Sequence, residues 1–281
     1  MSNTTTTHAG LIKEQVSSLL VQPLEAASVV LSSGVRIFDS SAPLTIPTLT
    51  GSGQVGFVGE GEEIPDTFTA GFSEIKLMPT ERKSLKAIVK MTSEVIRQTH
   101  IGLDAVLKQR LVHDVQTALD DALLSGDGTD NSITGILNQS GVQTGTLNLT
   151  TPDTFLDALA LCAANEVKPN RWFINAGDFF KVRKLTDANK RYILESDITA
   201  DTTYRLFGVP VTVTNKIPAG KAILANMSEI AVVRDLNPTI KILDQTYATT
   251  DEIGVRVVTR YDLGLLRPEG VVVLSAAKSA G

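Results

Sequence analysis

The sequence predicts an α+β fold, and three patterns along its 281 residues point to it. Residues 101–124 place their apolar side chains on one face of a helix. Residues 72–91 alternate apolar with polar side chains, as extended strands with one polar face do. The second half of the chain mixes short apolar runs with helical segments. We therefore expect helices and strands to be mixed in the fold.

The first predicted elements are, in order, a mobile arm at 1–10, helical segments at 11–31, and strands at 35–38 and 44–49. Pro23 marks either a break in the helical segments or the start of a new helix. The stretch 50–71 is rich in Gly, Pro and acid and has few regularly spaced apolar residues, so it is expected to project. With the strands beside it, it is predicted to form a two-stranded excursion over 46–91. Isolated hairpins are marginally stable, so a partner subunit is expected to support it.

Helix 101–124 would be roughly 36 Å long at 1.5 Å per residue, enough for a domain spine. Gly126 is interpreted as its left-handed terminator, and the turn-rich residues SGDGTDNSITGIL surround it. A Thr-Pro pair at 151–152 predicts the start of a helix over 153–164. The remaining predicted elements are short strands and one helix, at 172–174, 178–185, 209–214, 222–224, 230–233, 240–243, 255–261 and 271–274.

Composition indicates a globular chain with material for a core, because 42% of residues are hydrophobic and 20% are charged. The net charge of −5 gives no overall attraction to phosphate, and the short basic clusters at 82–83, 108–110 and 183–184 are interpreted as solvated faces. Cys162 is the only cysteine, so no intrachain disulfide can form and cytosolic folding is expected. No apolar run approaches the roughly 18 residues of a membrane span, so no membrane partner is predicted.

Four stretches resemble one known family. They are FVGEGEEIP with FSEIKLMPTERKSLKAIVKMTSEVI, then ALLSGDGTDNSITGIL, then LFGVPVTVTNKIPAGKAILANMSEIAVV, and finally RYDLGLLRPEGVVVL. In this order they resemble the extended loop, the end of the spine helix, and the axial and peripheral strands of the major capsid proteins of tailed bacteriophages, which have the Hong Kong 97 fold. The resemblance covers nearly the whole chain from about Leu11.

The resemblance implies a division of the chain into an N-terminal arm (1–45), an extended β-hairpin loop (46–91), a peripheral domain with the spine helix (92–150), an axial domain (151–228) and return strands of both domains (229–281). It implies that the hairpin lies over a neighbouring subunit and that the axial domain surrounds a five- or six-fold axis. The spine and the peripheral strands would meet at three-fold contacts.

The implied function is structural and not enzymatic. The chain would assemble with itself, as pentamers and hexamers, into the icosahedral shell of a virion around double-stranded DNA, which it would contact non-specifically. Portal proteins and scaffolding or decoration proteins would be further partners, and assembly would take place in the host cytoplasm. Many family members lose an N-terminal scaffolding region during procapsid maturation. This chain is expected to lack that region or to be the mature product, since its capsid-like part begins near Leu11.

Some members of the family join their subunits by an isopeptide bond between a loop Lys and a peripheral Asn, assisted by a Glu. The corresponding segment here, TTDEIGVRVVTRYDLG, contains no Asn and only Glu252, so noncovalent contacts are expected. The candidate contact residues between subunits are Glu60, Glu62, Glu63, Lys76, Arg82, Lys83, Lys86, Arg260 and Arg267.

No catalytic, cofactor-binding or metal site is predicted. GSGQVG at 51–56 matches the dinucleotide fingerprint in letters, but the glycines and proline that follow do not suit the helix that this motif requires. Asp127 and Asp130 are interpreted as turn residues, since the other oxygen ligands of a calcium loop are missing. His8, His100 and His113 lack metal-ligand spacing, with His113 expected on the polar side of the spine helix and Cys162 expected to be buried.

Two alternatives stay open at the level of sequence. An encapsulin-like shell has the same fold but encloses an enzyme in place of DNA. A nicotinamide-dependent enzyme built on GSGQVG belongs to a different class, and it predicts a higher melting temperature in the presence of NAD or NADP.

Overall fold

The structure is a computed structural model of the chain. It describes residues 24, 27–40, 42–50, 59, 71–78, 84–92, 103–129, 131–186, 204–234, 239–243 and 245–276. Several predictions fall outside the described residues: the arm at 1–10, most of the helical segments at 11–31, the GSGQVG stretch, most of the projecting stretch at 50–71, and His8 and His100.

The helices that position the fold are α1 (Leu103–Ser125), α2 (Asp153–Ala164) and α3 (Ala176–Arg183). The strands are β1 (Arg36–Asp39), β2 (Leu44–Thr50), β3 (Gly71–Leu77), β4 (Ser84–Thr92), β5 (Gln143–Leu147), β6 (Arg171–Ile174), β7 (Arg205–Leu206), β8 (Val209–Val213), β9 (Lys221–Ala225), β10 (Ile230–Arg234), β11 (Thr239–Leu243), β12 (Glu252–Leu265) and β13 (Val271–Ala276). The predicted α+β class is confirmed.

A six-stranded sheet in the order β5-β13-β9-β6-β8-β7 organises the second half of the chain. Both of its faces are covered, as β6 illustrates. Trp172 and Ile174 pack into a core with α2 and α3, whereas Phe173, which points to the opposite face, joins the core that contains α1. This explains why β6 is apolar at consecutive positions. Helix α2 buries its apolar residues at helical spacing against the same sheet, namely Phe155, Ala158 and Cys162.

A second sheet is built around the long strand β12. Its order is β1-β10-β12-β11, and β4 also pairs with β12. Helix α1 packs between this sheet and the six-stranded sheet, because its buried side chains share cores with residues of both. These side chains are spaced four apart and form one stripe along the helix: Leu111, Val115, Leu119 and Leu123.

The prediction for α1 is confirmed in its extent, and His113 is exposed as expected. The composition of its two faces differs from the expectation at two positions. Ala118, which was expected on the apolar face, is exposed. Asp120 is buried, because residues 28–30 pack against it and donate hydrogen bonds to its carboxylate. A charged residue therefore belongs to the buried side of the helix.

Gly126 follows α1 directly, as predicted, but not for the predicted reason. Its φ does not lie in the left-handed region. The Gly135 N–H donates a hydrogen bond of 2.8 Å to the Gly126 carbonyl, so the returning chain lies against the helix end. A Cβ at position 126 would collide with the Ile133 carbonyl oxygen. Close backbone approach is thus what requires glycine here.

The predicted hairpin is present at its base, where β2 and β3 pair antiparallel from Leu44↔Leu77 to Thr50↔Gly71. The interpretation of 46–91 as one two-stranded excursion is wrong for its last part. Strand β4 pairs with β12 of the same chain, from Glu252↔Thr92 to Arg260↔Ser84. Its alternating pattern predicted a strand correctly, but alternation does not identify the partner strand.

Candidate interaction surface

One face of the β4–β12 pair carries cations from two distant parts of the sequence. In the antiparallel register, Arg256 of β12 lies opposite Ile88 of β4. Lys86 and Lys90 have the same parity as Ile88, and Arg260 has the same parity as Arg256, so all of them lie on this face. We call Lys86, Ile88, Lys90, Arg256 and Arg260 the cationic face.

The other face of the pair explains why these side chains point outward. Ala87 and Val89 pack with Val257 against Leu111 of α1, which fixes the parity of both strands. The lysines on either side of Ile88 are consequently exposed, and Ile88 itself is 49% exposed. The surface therefore combines positive charge with an apolar centre.

Two cations of this face, Lys90 and Arg256, have surroundings that the structure describes. Lys90 Nζ lies 4.3 Å from the centre of the Tyr247 ring, and this ring packs against Gly254. The Arg256 Nε atom is buried and has no hydrogen-bond partner in the part of the chain that the structure describes. Neither Lys90 nor Arg256 has a carboxylate partner among the described residues, so an anionic partner would suit this part of the surface.

Of the four predicted contact residues that the structure describes, it brings together Lys86 and Arg260. Lys76 lies on the hairpin strand β3, 3.7 Å from Glu74, and its side chain is 72% exposed. Arg267 donates a hydrogen bond of 2.8 Å to the Asn165 carbonyl at the end of α2. The other predicted contact residues lie outside the described residues: Glu60, Glu62, Glu63, Arg82 and Lys83.

Sequence reasoning missed Lys90 and Arg256 as members of the surface. Lys86 and Lys90 are four residues apart, as are Arg256 and Arg260, and residues an even number apart share a face of a strand. The pairing of β4 with β12, which unites the two pairs, was not visible in the sequence.

A buried carboxylate holds the base of the hairpin to β12. Asp262 accepts a hydrogen bond of 2.7 Å from the Met78 backbone N–H and one of 3.0 Å from its neighbour Leu263. Met78 has a positive φ of 51°, and its side chain packs in a small core with Leu77 and with β10. A cavity of about 410 Å³ lies beside this contact, between β3, β12 and the turn around Gln139. The direction in which the hairpin leaves the body is thus set within the chain.

The aspartates after α1 have a local role where the structure describes them. Hydrogen bonds from the Thr129 hydroxyl and amide, and from the Ser132 hydroxyl, lower the pKa of Asp127. These bonds close a turn, as predicted. Asp130 lies outside the described residues.

Cys162 and Glu252 were also singled out in the sequence, and both lie among the described residues. Burial raises the pKa of the Cys162 thiol to about 11, so the thiol is protonated at neutral pH. Glu252, the first residue of β12, accepts a hydrogen bond of 3.2 Å from the Thr250 hydroxyl. No group of three metal-ligating side chains occurs within the described ranges. Among the described helices, none has the length and apolarity to cross a membrane.

Comparison with known proteins gives a consistent result. A family model for the phage capsid family matches residues 9–276. The major capsid protein of Klebsiella oxytoca phage phiKO2 is 22% identical over 294 residues, which cover 94% of this chain and 67% of that protein.

Solved structures share the fold. The capsid of the native GTA particle superposes with a TM-score of 0.72 at 18% identity, covering 88% of this chain and 90% of that one. A structure from Microbacterium phage Oxtober96 gives a TM-score of 0.71 at 15% identity, covering 89% and 91%. With the family model matching nearly its full length, the chain belongs to the phage capsid family.

Proposed function

We propose that the chain is a major capsid protein that assembles with itself into an icosahedral shell around double-stranded DNA. The observation that carries the proposal is the family match over residues 9–276, together with a surface suited to an anionic partner. A closed shell needs each subunit to present different surfaces to different neighbours. The hairpin and the cationic face are two such surfaces on one chain.

The acidic stretch of the hairpin has the chemistry that the cationic face requires. Residues 60–66 read EGEEIPD and contain four carboxylates and one isoleucine. The cationic face offers the complementary set, cations around the half-exposed Ile88. We place the acidic stretch of one subunit on the cationic face of its neighbour. Single exposed ion pairs contribute only about 0.2–1 kcal/mol, so the shell would depend on repetition of this contact.

The finer organisation is part of the same proposal. The arm (1–45), loop (46–91), peripheral domain (92–150), axial domain (151–228) and return strands (229–281) would have the roles that the family resemblance implies. Portal and scaffolding or decoration proteins would be partners, with assembly in the host cytoplasm. The α1 helix, with the six-stranded sheet and the sheet around β12, would form the body of the subunit to which the arm and the loop are attached.

Electron microscopy of the purified chain tests the proposal directly. We expect uniform closed particles at high protein concentration, with sedimentation far above that of a 30.0 kDa monomer. Particles that enclose double-stranded DNA after expression with a packaging system would support the phage role. Persistent monomer at high concentration would contradict shell assembly, and particles filled with a dedicated enzyme would contradict the phage role.

A further inference from the structure

A partly open pocket of about 250 Å³ lies beside the end of helix α1. Its walls come from elements that are far apart in the sequence, namely the last two turns of α1, the first residues of β4 and the turn at 131–133. Tyr261 of β12 completes the lining. We call this cavity the helix-end pocket.

The floor of the helix-end pocket is apolar. Leu119, Ile133 and Tyr261 line it and are at most 7% exposed. The other apolar lining residues, Leu85 and Ala122, are half-buried and pack against the same core as Leu119. A molecule that reached this floor would exchange water for apolar side chains on several sides.

The mouth of the pocket is polar and uncharged. Ser84, Asn131 and Ser132 line it and are more exposed than the floor. The Ser132 hydroxyl donates a hydrogen bond of 3.0 Å to Asp127, so its oxygen can still accept one. Within the part of the chain that the structure describes, no charged side chain lines the pocket. The mouth therefore suits a neutral hydroxyl group better than an ion.

Contacts within the chain hold both walls of the pocket in place. On one side, β4 pairs with β12 from its first residue, Ser84. On the other side, a β-bridge joins Asp127 to Thr134, and the Gly135 amide donates a hydrogen bond to the Gly126 carbonyl. A ligand that enters a preformed pocket does not have to order its walls, which favours binding.

The volume of the pocket indicates the size of its ligand. An apolar cavity of about 150 Å³ accommodates benzene. At the same filling, the 250 Å³ here accommodates about ten non-hydrogen atoms, the size of two fused aromatic rings. We propose that the helix-end pocket binds a neutral bicyclic aromatic alcohol, with its rings on the apolar floor and its hydroxyl group beside Ser84 and Ser132. This binding function goes beyond the proposed shell-forming function and does not depend on it.

Equilibrium dialysis of the full chain against 2-naphthol tests the proposal. We expect saturable binding of one molecule per chain, with a dissociation constant below about 1 mM. Ala122→Leu extends a larger side chain into the pocket and should weaken binding roughly tenfold or more. Ala118→Leu is the matched control, because it makes the same change one turn earlier on α1 at an exposed position. We expect the control to bind 2-naphthol as the wild type does.

A second variant and a second measurement keep the test decisive if Ala122→Leu does not fold. Ser84→Leu enters the same pocket from β4 and should weaken binding similarly. At about ten times its dissociation constant, 2-naphthol should raise the melting temperature of the wild type by about 3 °C, and that of the pocket variants by less. Absence of saturable binding to the wild type, wild-type affinity in the pocket variants, or an equal loss in Ala118→Leu would overturn the inference. Shell formation is judged separately, by electron microscopy.

Discussion

At the scale of single residues, buried carboxylates determine where distant segments meet. Asp262 is 6% exposed and accepts a hydrogen bond from the Met78 amide, 184 positions away in the sequence. Removing the carboxylate would leave that amide buried without its acceptor. This hydrogen bond therefore acts together with the small apolar core around Met78 to orient the hairpin base.

We expect Asp262→Ala to lower the free energy of unfolding by about 1–3 kcal/mol, measured by urea denaturation. Asp114→Ala is the control, because Asp114 is an exposed member of an ion pair with Arg110. Its expected cost is about 0.3–0.5 kcal/mol. Equal effects of the two substitutions would show that the Met78 contact contributes no special stability.

Residue burial was predictable where composition alone decides it. Cys162 lies in an Ala- and Leu-rich helix and is buried, as expected. Asp120, Asp178 and Asp262 are buried carboxylates that the sequence did not reveal. Each of them has at least one partner far away in the chain, so the local sequence does not distinguish them from surface acids.

At the scale of elements, Asp120 joins α1 to the segment that precedes β1. Its carboxylate accepts hydrogen bonds from the Ser28 hydroxyl at 2.6 Å and the Val29 amide at 3.0 Å. Val30 and Leu31 pack into the same core as α1. The N-terminal segment is therefore held to the spine helix by both apolar and polar contacts.

Asp120→Ala should release residues 28–31 from α1 while leaving the six-stranded sheet intact. We expect faster hydrogen exchange of the Val29 and Leu31 amides and a loss of about 2–3 kcal/mol in stability. Asp121→Ala is the neighbouring control, since Asp121 is half exposed and pairs with Lys216 at 3.2 Å. If both substitutions accelerate exchange equally, the buried carboxylate is not what holds the segment.

Most elements were predictable because their periodicity is local. The helices α1 and α2 and the strands β6 and β8 lie within a few residues of the predicted ranges. Pairing was not predictable, as β4 shows, because register depends on the whole sheet. The cationic face was missed for the same reason, since it exists only when Lys86 and Arg256 are brought onto adjacent strands.

At the scale of the whole molecule, the distribution of charge matters more than its sum. The chain has a net charge of −5, yet β4 and β12 present a cationic surface. The carboxylates of residues 60–66 contribute part of the opposing charge. In the proposed contact, identical subunits that carry both features would attract one another in a fixed orientation and not at random.

Charge reversal tests this contact. We expect Lys86→Glu with Arg256→Glu, or Glu62→Lys with Glu63→Lys, to raise the concentration needed for assembly roughly tenfold, because about 1.4 kcal/mol per subunit is a factor of ten. All four substitutions in one chain should restore assembly, since the attraction is reversed on both sides. Added salt should weaken wild-type assembly through screening.

The control is Lys168→Glu with Lys184→Glu. It changes the net charge by the same amount as Lys86→Glu with Arg256→Glu, but at exposed residues elsewhere in the structure. Light scattering, recorded against protein concentration at two salt concentrations, measures the assembly of all of these variants. Failure of the fourfold variant to recover would contradict pairing between the acidic stretch and the cationic face. Shells that form normally from the Lys86→Glu, Arg256→Glu chain but package less DNA would show that the cationic face contacts nucleic acid instead.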